Sequence, residues 1–220
     1  PNKEGGFPLN TDESFYGEHL PVLRRVEDSF LQRLKDLEQV FSNEKKRFPV
    51  EHYKSRIKSA GSARAKLERL GLPITLESAK DNLCDLVGIR LVCRFFFEVY
   101  EAVSLLQEME GVQVIRIKDY VKSPKSNGYR CVHLILGMPV QTGGTTAIQT
   151  VEVQVRTIAM DFWASLEHEL KYKKHVPDAR MMSEELKRCA DEIISVDLKM
   201  QTIYEWLNQP RDTERAGEAQ

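Results

Sequence analysis

The stretch from Thr150 to Thr157 reads Thr-Val-Glu-Val-Gln-Val-Arg-Thr and alternates without a break. Strand side chains point to opposite faces in turn, so Val151, Val153 and Val155 share one face and Glu152, Gln154 and Arg156 the other. β-branched valines favour the extended form, and their face requires a core to bury it. The opposite face sets a carboxylate, an amide and a guanidinium in a row. In an ordinary half-buried antiparallel strand such a row is a solvated surface. The other motifs of the chain favour a functional one.

At 220 residues the sequence is one large domain or a domain with helical extensions. A hydrophobic fraction of 41% suffices for a core, and 30% charged residues with a net charge of -1 suit a soluble protein without general nucleic-acid-binding character. Cys84, Cys93, Cys131 and Cys189 are scattered, with neither a CxxC pair nor zinc spacing. They read as reduced, mostly buried cysteines of an intracellular protein. No apolar run is long enough to span a membrane, and no signal peptide opens the sequence as it stands.

Periodicity predicts helices flanking a sheet. Residues 1–17 show no period and are expected to be irregular. Leu23, Val26, Phe30, Leu34, Leu37 and Phe41 fall at helical spacing within a long amphipathic helix over 20–46, and Pro49 prevents its continuation. A second helix is expected from Ser62, as N-cap, to Leu70, with Gly71 just past its end. Strands are expected over 86–95, 112–117, 132–140 and 147–156, the last two joined through Gly143-Gly144 as a hairpin. Helices are expected over 98–109, 158–172 and 181–207, and a polar loop over 118–127. On the last helix Leu186, Ile193, Met200, Ile203 and Leu207 form the apolar side.

The chain contains no GxxxxGK[ST], which excludes a P-loop. A phosphate-handling enzyme without one needs basic side chains to hold phosphates and carboxylates to hold Mg²⁺. From Lys45 to Arg69 nine basic residues stand against two acids. Such a run suits a polyphosphate ligand, a solvated helix face being the alternative. Asp85 precedes the strand that contains Gly88 and Arg90, and Glu152 projects from the alternating strand, so the two carboxylates could face one metal. On its own, Asp85 reads as a junction residue.

In order along the chain stand Arg56-Ile57-Lys58 with Ser62, Asp85-Leu86-Val87-Gly88-Ile89-Arg90, Lys118-Asp119-Tyr120, Pro124-Lys125 with Asn127-Gly128-Tyr129 and His133, and Glu152-Val153-Gln154-Val155-Arg156-Thr157. This series resembles the synthetase domain of the RelA/SpoT family, and more closely its stand-alone small alarmone synthetases. The likeness covers about residues 50–175, with 1–49 and 176–220 as flanking helical segments of a single domain. It implies an α/β fold, nucleotidyltransferase-like, with a mixed five-stranded sheet and flanking helices. It implies a cytoplasmic enzyme that transfers pyrophosphate from ATP to the 3′-hydroxyl of GDP or GTP, GMP being a further candidate acceptor. The products are AMP and (p)ppGpp. None of the five histidines is followed by Asp, so the metal motif of the family's hydrolase domain is lacking.

Residue roles follow from the resemblance alone. Arg56 and Arg90 correspond to the pair that sandwiches adenine. Lys58, Ser62 and Lys66 correspond to positions holding ATP phosphates. Asp85 corresponds to the Mg²⁺ ligand, and Glu152 to a second acid that binds metal, activates the hydroxyl, or both. Tyr129 corresponds to the ring that stacks on guanine. Lys125, Asn127 and His133 lie near the acceptor, with Gln154 and Arg156 supporting the same face. Trp163 reads as a packing residue, while His168 and Glu169 suit a surface or a functional role equally. Lys171, Lys173 and Lys174 read as a solvated helix end.

The two long terminal helices exceed what one sheet needs as cover, and with the resemblance they imply a homotetramer. Some family members bind product between subunits just before the Arg56 motif, a stretch that here reads Glu51-His52-Tyr53-Lys54-Ser55, so activation by (p)ppGpp is a further expectation. Two other classes stay open. One is a toxin-type relative that makes adenosine alarmones or pyrophosphorylates the tRNA 3′ end. The other is a non-catalytic nucleotide-binding regulator, against which the presence of both Asp85 and Glu152 argues.

Overall fold

The computed structural model describes residues 11–172 and 179–209. Its elements are α1 (Asp12–Tyr16), α2 (His19–Asn43), β1 (Val50–Ile57), α3 (Ala60–Arg69), α4 (Leu76–Asn82), β2 (Val87–Cys93), α5 (Phe96–Gln107), β3 (Gln113–Asp119), β4 (Val132–Thr142), β5 (Thr145–Thr157), α6 (Ile158–Tyr172) and α7 (Ala179–Leu207). The strands form one mixed sheet in the order β1-β2-β5-β4-β3. Only the central β2–β5 pair is parallel.

The alternation in β5 places its valines as expected. Val151, Val153 and Val155 are fully buried beside Val87, Ile89 and Leu91 of β2 and Leu134 and Leu136 of β4. α2 closes this core with Leu23, Val26, Phe30 and Leu34, spaced three or four apart on one stripe. α5 adds Val99, Ala102 and Leu106. Its first turn is held by the buried Glu98 carboxylate, which accepts from the backbone N–H groups of Arg94 and Phe95 at 2.9 and 3.0 Å.

Four expectations need correction. Residues 11–17 are not irregular: Thr11 caps α1, and Phe15 and Tyr16 are buried. A helix of five residues is too short to show a period, and tertiary packing holds it. The N-cap of α3 is Ser59, which has extended backbone and accepts from the Ser62 N–H, so Ser62 lies inside the first turn. The strand expected to end at Ile117 runs to Asp119, shortening the polar loop. The cysteines are not mostly buried: Cys93 and Cys131 are, while Cys84 is partly exposed and Cys189 exposed. β1 and α4 gave no periodic signal. β1 is an edge strand whose apolar residues Val50, Tyr53 and Ile57 are not spaced two apart, and α4 spans seven residues capped by Thr75. Lys173 and Lys174 lie outside the described residues.

Candidate active site

The strand register converts the scattered motifs into two rows across one sheet face. Arg56, Gly88, Glu152, Ile135 and Arg116 are successive partners across all five strands. The next row is Lys54, Arg90, Gln154, His133 and Lys118. Directly opposed residues share a face, so this side of the sheet is polar and cationic while the valine side is core. In the first row Gly88 contributes no side chain, and the Arg56 side chain lies over it: a Cβ at Gly88 would sit 3.7 Å from Arg56 Cγ and 3.8 Å from its Nε.

Two cavities open on this face. The first, about 260 Å³, is lined by Lys54, Ser55, Arg56, Asp85, Gly88, Ile89, Arg90, Glu152 and Gln154. The second, about 240 Å³, is lined by Lys66, Asn82, Cys84, Arg116, Lys118, Tyr120, Lys125, His133, Ile135 and Glu152. Glu152 is the residue they share. A carboxylate therefore stands where two ligands would meet.

Asp85 sits in the short link between α4 and β2, and two lysines converge on it. Lys58 Nζ donates to Oδ2 at 2.9 Å, and Lys66 Nζ lies 2.9 Å from Oδ1 as an ion pair that is not aligned as a hydrogen bond. Burial works to raise the Asp85 pKa, but its two ammonium partners outweigh this and hold it below the usual carboxylate value. The lysine end of β1 is fixed from behind: Tyr16 donates to the Lys58 carbonyl at 2.7 Å, and Asp12 accepts from the Ala60 N–H at 2.6 Å.

Along β5 the polar face is internally bonded. Gln154 Nε2 donates to Glu152 Oε1 at 2.7 Å, and Arg156 donates to Gln154 Oε1. Arg156 Nη2 also donates to the Tyr129 hydroxyl at 3.3 Å, and that hydroxyl lies 2.8 Å from His133 Nε2. His133 Nδ1 closes the ring at 3.8 Å from Glu152. Arg156 is only 2% exposed, so the row read from the sequence is in part interior.

Burial, aided by the charges of Arg156, Lys125 and Lys118, pushes the His133 pKa down to about 4. The ring is thus neutral at pH 7. Because Arg156 already donates to the Tyr129 oxygen, we assign the hydroxyl proton to Nε2 and the ring proton to Nδ1, toward Glu152. In the unfolded chain the ring titrates near 6.5. Between these values the unfolded state binds a proton that the native state refuses. Stability therefore falls as pH drops from 6.5 to 4, by up to about 3 kcal/mol, and this loss is complete below the lower value. Urea unfolding across that window should show a shallower pH dependence in His133→Gln; parallel curves would assign the loss to other groups.

The remaining candidates divide. Arg56, Arg90, Asp85, Glu152 and Gln154 meet at the first cavity, and Lys125, His133 and Glu152 at the second. Lys66 lines the second cavity while pairing with Asp85 of the first. Lys58 reaches the site through Asp85, and Ser62 remains exposed on α3 with its hydroxyl 2.9 Å from Ser59 Oγ. Asn127 shapes a turn: it accepts from the Tyr129 N–H at 3.3 Å and donates to Glu167 at 2.9 Å. Tyr129 stands behind the second cavity with the Lys125 ammonium 4.6 Å from its ring centre, while Tyr120 lines the cavity. Gly128 has φ +89°, and a Cβ there would lie 2.5 Å from the Ala190 Cβ, so α7 seats directly on this turn. Trp163 packs as expected, donating to the Leu186 carbonyl at 2.9 Å, and His168 and Glu169 are exposed.

Arg116, Lys118 and Tyr120 were not among the candidate binding residues, although Arg116 and Lys118 are two apart on one strand and so share a face. Asp161 was also missed. It lies in the first turn of α6, its Oδ1 3.1 Å from Arg90 and 3.5 Å from Arg156.

Among the described residues no group of three or more His, Cys, Asp or Glu converges as a metal cage. Asp85 and Glu152 do line one cavity, and one or two carboxylates are what Mg²⁺ takes when phosphates and water complete its shell. The donor set fits a metal that arrives with a nucleotide.

Residues 55–176 match the family model described as a region found in RelA / SpoT proteins. The chain is 42% identical to GTP pyrophosphokinase YwaC of Bacillus subtilis over 152 residues, 69% of this chain and 72% of that one. It is 27% identical to GTP pyrophosphokinase YjbM of the same organism over 87% of this chain and 90% of that protein. Among solved structures, Bacillus subtilis small alarmone synthetase 1 bound to its product pppGpp matches with a TM-score of 0.80 at 27% identity, covering 88% of this chain and 98% of that one. Small alarmone synthetase 2 of the same organism matches with a TM-score of 0.76 at 35% identity, covering 87% and 98%.

Proposed function

The chain belongs to the RelA/SpoT family, and from that membership and the paired cavities we propose that it is a GTP pyrophosphokinase. It transfers pyrophosphate from ATP to the 3′-hydroxyl of GDP or GTP, making (p)ppGpp and AMP. The observation that carries this reading is Glu152, which two cationic cavities share. A transfer between two nucleotides needs two pockets and a proton acceptor between them.

The first cavity takes ATP. Arg56 and Arg90 present planar guanidinium groups suited to stacking on adenine. Lys58, Lys66 and Ser62 take the phosphates, and Lys66 spans the junction with the second cavity, where the β-phosphate must lie. As phosphates arrive, the two lysines exchange the Asp85 carboxylate for phosphate oxygens, and Asp85 is released. Asp85 and Glu152 would then hold Mg²⁺. Mg²⁺ supplies neutralisation of the triphosphate charge.

The second cavity takes the acceptor. Lys125, Arg116 and Lys118 are cations placed for its 5′ phosphates, and Tyr129 stacks on guanine once Lys125 turns from the ring to those phosphates. Glu152 accepts the proton of the 3′-hydroxyl while the oxygen attacks the β-phosphorus. The bond from that phosphorus to the α–β bridging oxygen breaks, and AMP leaves. In this reading the reaction is cytoplasmic, where ATP and guanine nucleotides are at hand. No helix among the described residues is long and apolar enough to cross a membrane.

The base assignments predict separable defects. Tyr129→Ala should raise KM for GDP about five- to a hundredfold with that for ATP little changed, since stacking on one base is worth roughly 1–3 kcal/mol. Arg56→Ala and Arg90→Ala should do the reverse. Equal effects on both substrates would make these residues structural, and crossed effects would exchange the pockets.

The protein assembles as a homotetramer in this reading. Ile158, Phe162, Leu166 and Leu170 recur every four residues on α6 and are exposed. On α7 Val196, Met200, Ile203 and Leu207 form a second exposed apolar stripe. Surfaces of this kind are normally covered by another chain. Light scattering at micromolar concentration tests it, and a monomeric mass would refute it.

A further inference from the structure

Asp161 is one carboxylate between two guanidinium groups that serve different pockets. Arg90 lines the first cavity, and Arg156 donates to the hydroxyl of Tyr129 behind the second. Asp161 Oδ1 lies 3.1 Å from Arg90 Nη1 and 3.5 Å from Arg156 Nη1, yet this buried oxygen is aligned as a hydrogen-bond acceptor with neither. Arg156 Nε is likewise buried without a hydrogen-bond partner. Such a group is under-satisfied, and improving its bonds to one guanidinium draws it from the other.

The two cations differ in freedom. The Arg90 side chain is 34% exposed and can swing into the cavity, whereas that of Arg156 is 2% exposed and has no route to water. Once Arg90 turns onto a base, the carboxylate is left with Arg156 alone and closes on it. Arg156 then withdraws from the Tyr129 hydroxyl, to which its bond is already long at 3.3 Å. Tyr129 loses a restraint on its free-state orientation, and its ring becomes available to the acceptor.

We propose that Asp161 is a positioning residue that couples the two nucleotide sites, so that filling the donor site strengthens binding at the acceptor site. The inference rests on the assignment of the first cavity to ATP and the second to the guanine nucleotide. Linkage makes the effect reciprocal: the donor binds more tightly to protein already holding the acceptor, by the same factor.

The test is calorimetric titration of the full chain, with Mg²⁺, using α,β-methylene ATP and GDP singly and then each in the presence of the other. In the wild type each nucleotide should lower the Kd of the other by about five- to tenfold. Asp161→Asn keeps the shape and removes the charge, so coupling should fall below about twofold while each nucleotide still binds alone. A general structural defect would instead weaken both single affinities and leave their ratio unchanged. If circular dichroism shows that Asp161→Asn does not fold, Asp161→Ser, which also removes the charge and leaves both arginines in place, replaces it with the same expectation. Coupling of wild-type size in the folded variant overturns the proposal, as does independent binding in the wild type. Failure of the wild type to bind α,β-methylene ATP at all overturns the underlying functional reading as well.

Discussion

Glu152→Gln should lower kcat by about two to four orders of magnitude while affinity for ATP stays close to that of the wild type. The fold should survive. A glutamine carbonyl can still accept the 2.7 Å hydrogen bond from Gln154 Nε2, so the chain of contacts through Arg156 to Tyr129 persists. The variant lacks the negative charge between the cavities, and with it the proton acceptor for the attacking hydroxyl. Base stacking, phosphate contacts and the Asp85 carboxylate that would hold Mg²⁺ all remain, which is why the loss belongs to turnover more than to ATP binding. Near-normal kcat would remove Glu152 from the chemistry.

Asp85→Asn should cost about a thousandfold in rate, and it carries a second signature. In the wild type this carboxylate is neutralised by Lys58 and Lys66, each at 2.9 Å. Phosphates compete with Asp85 for those lysines, and the displaced carboxylate then needs a cation. Binding of ATP to the wild type should therefore tighten when Mg²⁺ is added. In the variant the lysines are free for phosphate from the start, so ATP should bind about as well in EDTA as with Mg²⁺. A variant whose ATP affinity keeps the wild-type Mg²⁺ dependence would show that the metal is held elsewhere.

Much of the framework was legible because period-two and period-3.6 patterns coincide with burial. The alternation of β5 fixed the core face of the central strand, and the spacing of Leu23, Val26, Phe30 and Leu34 fixed the stripe of α2 that covers it. The elements that escaped are those whose stability comes from elsewhere. α1 is one turn anchored by buried Phe15 and Tyr16, and β1 is an edge strand whose exposed residues obey no hydrophobic pattern. The α7 stripe was legible as apolar and as more than one sheet needs for cover, and Met200, Ile203 and Leu207 are indeed left exposed.

The site divides in the same way. Motif residues on strands could be placed on one face by parity alone, and the register brings Arg56, Arg90, Glu152, Gln154 and His133 together. Contacts between elements could not be read. Nothing in the order of residues says that Lys58 and Lys66 share Asp85, that Arg156 is interior, or that Asp161 reaches back to two arginines from the next helix. Nor did it show that Tyr120 would line the second cavity, with Tyr129 behind it.

The central claim is transfer of an intact pyrophosphate unit between nucleotides held on either side of Glu152. The most direct measurement is incubation of the protein with Mg²⁺, GDP and ATP labelled at the β-phosphorus, followed by mass and label analysis of every nucleotide formed. The account predicts a labelled guanosine tetraphosphate and AMP in equal amounts. Formation of ADP instead of AMP, or label that stays with adenosine nucleotides, would contradict it.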